Sequence, residues 1–151
     1  MAALRKLIAL DDDDLAVISA HVQDAKLRVS DIIWRRGEKR LVVGLQRPDC
    51  DQMVSGAPCD RRLISALRFE RVLSCKARNL SLDEPDLILE LWGLEFYPGK
   101  APGGCVVLMF AGGRMLRLDI ECIECELADL AEVNPSISPL DAGEISADTG
   151  A

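Results

Sequence analysis

Cys-Val-Val-Leu-Met-Phe-Ala-Gly-Gly-Arg-Met-Leu-Arg-Leu-Asp-Ile-Glu, residues 105–121, decides the reading of the whole chain. It opens with a continuous apolar run to Phe110, turns at Ala111-Gly112-Gly113-Arg114, and then alternates from Met115. Leu116, Leu118 and Ile120 share one face, while Arg117, Asp119 and Glu121 share the other. That period of two is the mark of a half-buried strand. Two such runs around Gly-Gly predict an antiparallel hairpin, because glycine supplies the positive φ that tight turns need.

Upstream, residues 86–97 read as another strand, with Trp92, Leu94 and Phe96 on one face, and residues 98–104 as its connecting loop. Residues 62–78 alternate imperfectly, which predicts a long strand bent near Glu70-Arg71, or two strands. Residues 48–61, with Pro48, Gly56 and Pro58, read as a long loop. Residues 27–35 and 39–47 form two β-rich runs around a hairpin at Arg36-Gly37-Glu38-Lys39. Before them, Leu15, Ile18, Val22 and Ala25 recur at helical spacing and predict one amphipathic helix over 14–25. Asp11 to Asp14 favour its positive end and offer an N-cap. Residues 4–10 read as a short first strand.

Downstream, Ile123, Leu127 and Leu130 recur at four and three, so a short closing helix over 122–132 is expected, with a bulged strand as competitor. Residues 133–151 are small, proline-containing and acidic, and should form a disordered tail. The sum is a single α+β domain over 1–132 with a six- to seven-stranded, mostly antiparallel curled sheet. It would be a sandwich or half-barrel, roofed by the N-terminal helix. A pleckstrin-homology-like arrangement, two sheets closed by a terminal helix, is one version of it.

Composition narrows the function classes. Of 151 residues, 49% are hydrophobic and 28% charged, enough apolar material for a core. The net charge of −7 opposes nucleic acid and anionic membranes as partners. No run approaches a membrane span, and Asp11 to Asp14 interrupt the only signal-like stretch. Cys75, Cys105 and Cys122 sit in apolar runs and read as reduced, small hydrophobes, so a cytoplasmic location is expected.

Three segments carry a family resemblance. They are Leu-Ile-Ala-Leu-Asp at 7–11 followed by Asp-Leu-Ala-Val-Ile-Ser-Ala-His-Val-Gln-Asp-Ala at 14–25, Ala-Leu-Arg-Phe-Glu-Arg-Val at 66–72, and Ala-Pro-Gly-Gly at 101–104 leading to Arg-Leu-Asp-Ile-Glu-Cys-Ile-Glu at 117–124. Over residues 4–131 the chain resembles an uncharacterised bacterial domain-of-unknown-function family, number 2948, mainly alphaproteobacterial. The resemblance implies a bacterial cytoplasmic protein and brings no activity, cofactor or site residue with it.

The candidate chemistry is thin. Cys122-Ile-Glu-Cys125 has redox spacing, yet Glu121, Glu124 and Glu126 flank it and disfavour a thiolate. A zinc site would have to join Cys122 and Cys125 to Cys50 and Cys59, whose spacing of nine is no knuckle. His21 falls at the border of the helix's apolar stripe, with no nucleophile assigned to it. Asp11 to Asp14 lack the alternation of a calcium loop, and Gly93 to Lys100 lacks phosphate-loop spacing. Arg35, Arg36, Lys39 and Arg40, with Arg61, Arg62, Arg68, Arg71, Lys76 and Arg78, would line a positive strip if their strands pair. Solvated sheet faces are the simpler account of them.

No catalytic residue, cofactor or metal is therefore assigned. The expectation is a non-catalytic protein-binding or scaffolding domain, with a protein partner or a homodimer. A small-ligand-binding or enzymatic half-barrel is the alternative, and a zinc- or thiol-dependent protein using Cys122 and Cys125 is a third.

Overall fold

The computed structural model describes residues 4–48 and 62–133. Its elements are β1 (Lys6–Ala9), α1 (Asp12–Val22), β2 (Ala25–Arg28), β3 (Ile32–Arg35), β4 (Arg40–Pro48), β5 (Arg62–Phe69), β6 (Val72–Arg78), β7 (Ile88–Pro98), β8 (Gly104–Phe110), β9 (Arg114–Ile120) and β10 (Cys125–Glu132). Short 3₁₀ turns, Val29–Asp31 and Arg36–Glu38, flank β3. The β8–β9 hairpin closes at Phe110↔Arg114, with Gly112 and Gly113 at φ +83° and +73°. Those angles strain any residue with a Cβ.

All strand pairs are antiparallel, in the order β1-β10-β5-β4-β2-β7-β8-β9-β6, with β3 beside β4. Chain connectivity forces this sheet to curl. β5 and β6 stand six strand spacings apart in that order, about 29 Å if flat. Only Glu70 and Arg71 connect them, and three peptide steps reach at most about 11 Å. The sheet therefore folds back on itself. Arg71 takes φ +61° at the crossing. Glu70 N–H donates to Glu124 O at 2.9 Å, Glu121 N–H to Arg71 O at 2.9 Å, and Val72 N–H to Lys39 O at 2.9 Å.

Two layers result: β1-β10-β5-β4-β3 and β2-β7-β8-β9-β6. They are joined by the single register pair Lys26↔Gln46. Their inward residues, among them Leu41, Leu67, Phe69 and Leu127 opposite Leu91, Leu108, Phe110 and Leu118, form one buried cluster. Burial of this kind is the main stabilising term in the fold. Helix α1 packs on β7, β1 and β4 through Leu15, Ile18 and Val22. β2 stops pairing with β7 at Ala25↔Leu91. Beyond that point the Ser19 hydroxyl accepts from Leu94 N–H at 2.9 Å and donates to Leu94 O at 3.2 Å. A helix side chain thus stands in for a missing strand neighbour.

Four expectations are corrected. The helix runs over Asp12–Val22 and not 14–25, because Asp24 turns left-handed at φ +66° and donates to Leu91 O at 2.8 Å, which draws Ala25 into β2. Its cap is Asp11, whose carboxylate accepts from Asp14 N–H at 2.8 Å. The closing helix over 122–132 is instead strand β10, paired on both sides with β1 and β5 and bulged between Asp129 and Ala131. Cys125, Leu127 and Asp129 point inward with period two, while Leu130 is exposed, so the spacing of four and three was not a helical face. Among the described residues the strands number ten and not six or seven, because 27–35 breaks into β2 and β3, 62–78 into β5 and β6, and β10 is added. The roofing helix is N-terminal, so the pleckstrin-homology-like version loses its C-terminal helix as far as Val133. The tail beyond Val133 lies outside the described residues. No helix among the described residues is long and apolar enough to cross a membrane.

Candidate functional site

Few of the residues singled out in the sequence come together. Cys50 and Cys59 lie outside the described residues. Cys122 follows β9 in a turn, and Cys125 begins β10 fully inside, so the pair is not at a helix start. Both are free thiols. Burial, and then the Glu126 charge, push the Cys125 thiol far up and keep it protonated. Among the described residues no group of three or more His, Cys, Asp or Glu gathers to hold a metal. His21 Nδ1 faces Val17 O at 2.8 Å, so that nitrogen donates, and Nε2 accepts from Arg5 Nη1 at 3.3 Å. His21 lines neither of the two cavities described below.

Among the described residues no unbroken basic strip runs along the first layer; Arg61 lies outside the described residues. On the outer face of the first layer the cations interleave with acids from strand to strand. Lys6 meets Glu126 at 3.3 Å, Arg68 meets Glu126 and, at 3.1 Å, Glu70, and Arg40 meets Glu70 at 2.8 Å and Glu38 at 3.5 Å. Arg35 closes the ladder on Glu38 at 3.6 Å. A pocket of about 240 Å³ beside it is walled by Ile8, Leu10, Arg68 and Glu124.

Inside this layer lies a polar cluster that the sequence did not reveal. Arg47 on β4, Ser65 on β5 and Asp129 on β10 all take inward positions. Arg47 Nε and Nη2 donate to the two Asp129 carboxylate oxygens at 2.9 and 2.8 Å. Ser65 Oγ and Arg5 N–H add bonds at 2.7 and 3.0 Å. Burial alone would push the Asp129 carboxyl up, but these four donors outweigh it and hold it below the ordinary value. The only sequence signal was period-two alternation that continues through a charged residue.

The larger cavity lies on the outer face of the second layer. It is an open trough of about 610 Å³ between the 99–103 loop, β9 and Leu73. The start of β8 lies close against β7, because a Cβ on Gly104 would stand 2.5 Å from Tyr97 O and 2.7 Å from the Phe96 ring. Register brings Tyr97, Cys105, Asp119 and Ser74 into one outward row, and Val107, Arg117 and Lys76 into the next. Ser74 Oγ donates to Asp119 at 2.7 Å and Arg117 Nη2 to the other oxygen at 3.2 Å. The Ser74 bond, helped by Arg117, holds the Asp119 carboxyl below its usual value. The Tyr97 hydroxyl donates to Glu95, which pushes the phenol up. Desolvation pushes the Cys105 thiol up against the pull of Arg117. Cys105 is therefore no core residue, as its apolar neighbours suggested, but part of the trough wall. The hairpin register could have shown this, since Cys105 must pair with Asp119, and alternation places Asp119 outward.

Among the described residues these features define the class: a curled antiparallel sheet with one helix, carrying an open trough on one outer face and a charge ladder on the other. The family described as a protein of unknown function, DUF2948, matches residues 5–139, and the chain belongs to it. No curated protein and no solved structure matches.

Proposed function

We propose that the chain is a non-catalytic binding domain that recognises another protein. The observation that carries this reading is the trough beside Leu73, which is open rather than enclosed and presents apolar side chains at its rim. Leu73 and Tyr97 are half-exposed there, beside polar groups that already hold their protons or partners. The raised Cys105 thiol and Tyr97 phenol stay protonated at neutral pH, and the Asp119 carboxylate stays ionised. A catalytic pair needs groups poised to exchange a proton near neutrality, and these are not. Recognition by exposed apolar residues amid fixed polar ones suits a protein surface. A reducing, cytoplasmic setting belongs to the same reading, supported by the unpaired thiols Cys75, Cys105, Cys122 and Cys125.

A second reading, small-ligand binding, draws on the trough's volume of about 610 Å³, which lies in the ligand-pocket range. Affinity capture from a bacterial extract, with the intact chain beside a Leu73→Glu variant, separates the two. The expected result is a stoichiometric protein retained by the parent and lost from the variant at equal melting temperature. Recovery of only a small molecule from the denatured protein, or a partner indifferent to Leu73, overturns the proposal.

A further inference from the structure

Building on the binding-domain reading, we infer that the free edge of β6 accepts an extended acidic segment of a protein partner as an added strand. β6 ends the sheet order, and among the described residues only β9 pairs with it. The edge is open to solvent: Leu73, Lys76, Ala77 and Arg78 are all exposed. An unpaired strand edge offers a row of N–H and C=O groups that can bind an extended chain.

The side chains say which chain. Ser74, Lys76 and Arg78 face outward at alternate positions, in register with Asp119, Arg117 and Met115. Lys76 thus stands directly opposite Arg117, a like-charge cross-strand pair that costs stability. Arg117 has Asp119 at 3.2 Å, whereas neither Lys76 nor Arg78 has a carboxylate within ion-pair distance among the described residues. Lys76 feels the Asp119 carboxylate only beyond ion-pair distance, so in a chain of net charge −7 this edge keeps a positive lean.

Charges on an edge often serve only to discourage pairing. Here they are selective. They repel a cationic or second-copy strand, because a paired β6 would set Lys76 and Arg78 against their own counterparts. They attract a strand with acids at alternate positions, whose side chains repeat at the same spacing of about 7 Å. At the head of the edge, Leu73 and the trough leave room for an apolar residue of that strand.

The test uses the full chain and an eight-residue fluorescein-labelled peptide alternating glutamate and valine, read by anisotropy. Saturable binding is expected, with none for the lysine–valine peptide. Lys76→Glu and Arg78→Glu should each weaken it by about tenfold without lowering the melting temperature, and salt should weaken it further. Methylating the edge-facing amides of the peptide should abolish it, and amide exchange should slow over Leu73 to Arg78. Equal binding of both peptides, binding of neither, or indifference to methylation overturns the inference. So does tighter binding to anionic vesicles or single-stranded DNA. If a captured partner survives the Lys76→Glu, Arg78→Glu double variant, the binding-domain reading stands and the edge assignment falls. If neither peptide nor partner binds, both fall.

Discussion

The two outward sheet faces are built from the same residue types and dispose of charge in opposite ways. Across β1, β10, β5, β4 and the turn after β3, each cation of the ladder from Lys6 to Arg35 touches an acid. Across β9 and β6, Arg117 has Asp119 as its ion-pair partner and Lys76 faces it with no acid at ion-pair distance, sharing only the more distant field of Asp119. Most cations of the first face are paired, Arg62 on β5 being an exception whose buried Nη1 has no hydrogen-bond partner among the described residues, while the second face keeps Lys76 beside Arg117. A repulsive pair beside an open trough costs stability, and the proposed partner site is placed on the second face for that reason.

The largest effect is expected within the first layer. Asp129→Ala leaves the Arg47 guanidinium buried and unpaired, and should cost about 3 kcal/mol or more in denaturant unfolding. The carboxyl is held below its ordinary value in the fold. Its contribution is therefore present at neutral pH and is lost as the pH falls through and below the ordinary carboxylate range, about 4. Asp129→Asn should flatten that acid limb. A parent whose stability does not decline faster than the variant's on acidification would show that the four donors do not depress the carboxyl.

Next comes the trough itself. Gly104→Ala drives a methyl against Tyr97 O and the Phe96 ring, and should cost about 1–3 kcal/mol by forcing the start of β8 off β7. Partner capture should fail with it. A smaller loss attends Arg68→Ala on the ladder, under about 1 kcal/mol, because the Arg68 side chain is itself 43% exposed and water screens its pairs with Glu126 and Glu70. That loss should shrink in molar salt, and capture should be untouched. If Arg68→Ala impaired capture more than Gly104→Ala, the contrast between the faces would be reversed.

How far the sequence reached depends on whether a residue's fate is local. The β8–β9 hairpin and the Asp11 cap were legible because turn chemistry and capping act within a few residues. The break at Glu70-Arg71 was half-legible: the phase slip showed, but not that β6 would leave β5 and pair with β9. β10 was misread because its backbone is satisfied by β1 and β5, strands more than fifty residues away in sequence, which no local period reports. The Arg47–Asp129 pair and the Lys76–Arg117 juxtaposition were invisible for the same reason. Both are products of register, which only pairing partners fix.

The smallest expected effect on stability is the sharpest on the comparison. Lys76→Glu replaces a repulsive cross-strand neighbour of Arg117 with an attractive one, so it should raise stability by up to about 0.5 kcal/mol. The same change should weaken pairing with an acidic strand by about tenfold. A side chain kept for the fold loses stability on removal; one kept for a partner at the fold's expense gains it. A rise in Tm joined to loss of binding separates the two, because structural damage moves both readouts downward. A fall in Tm on Lys76→Glu would mean that Lys76 already has a compensating acid in solution, and the second face would then be as complete as the first.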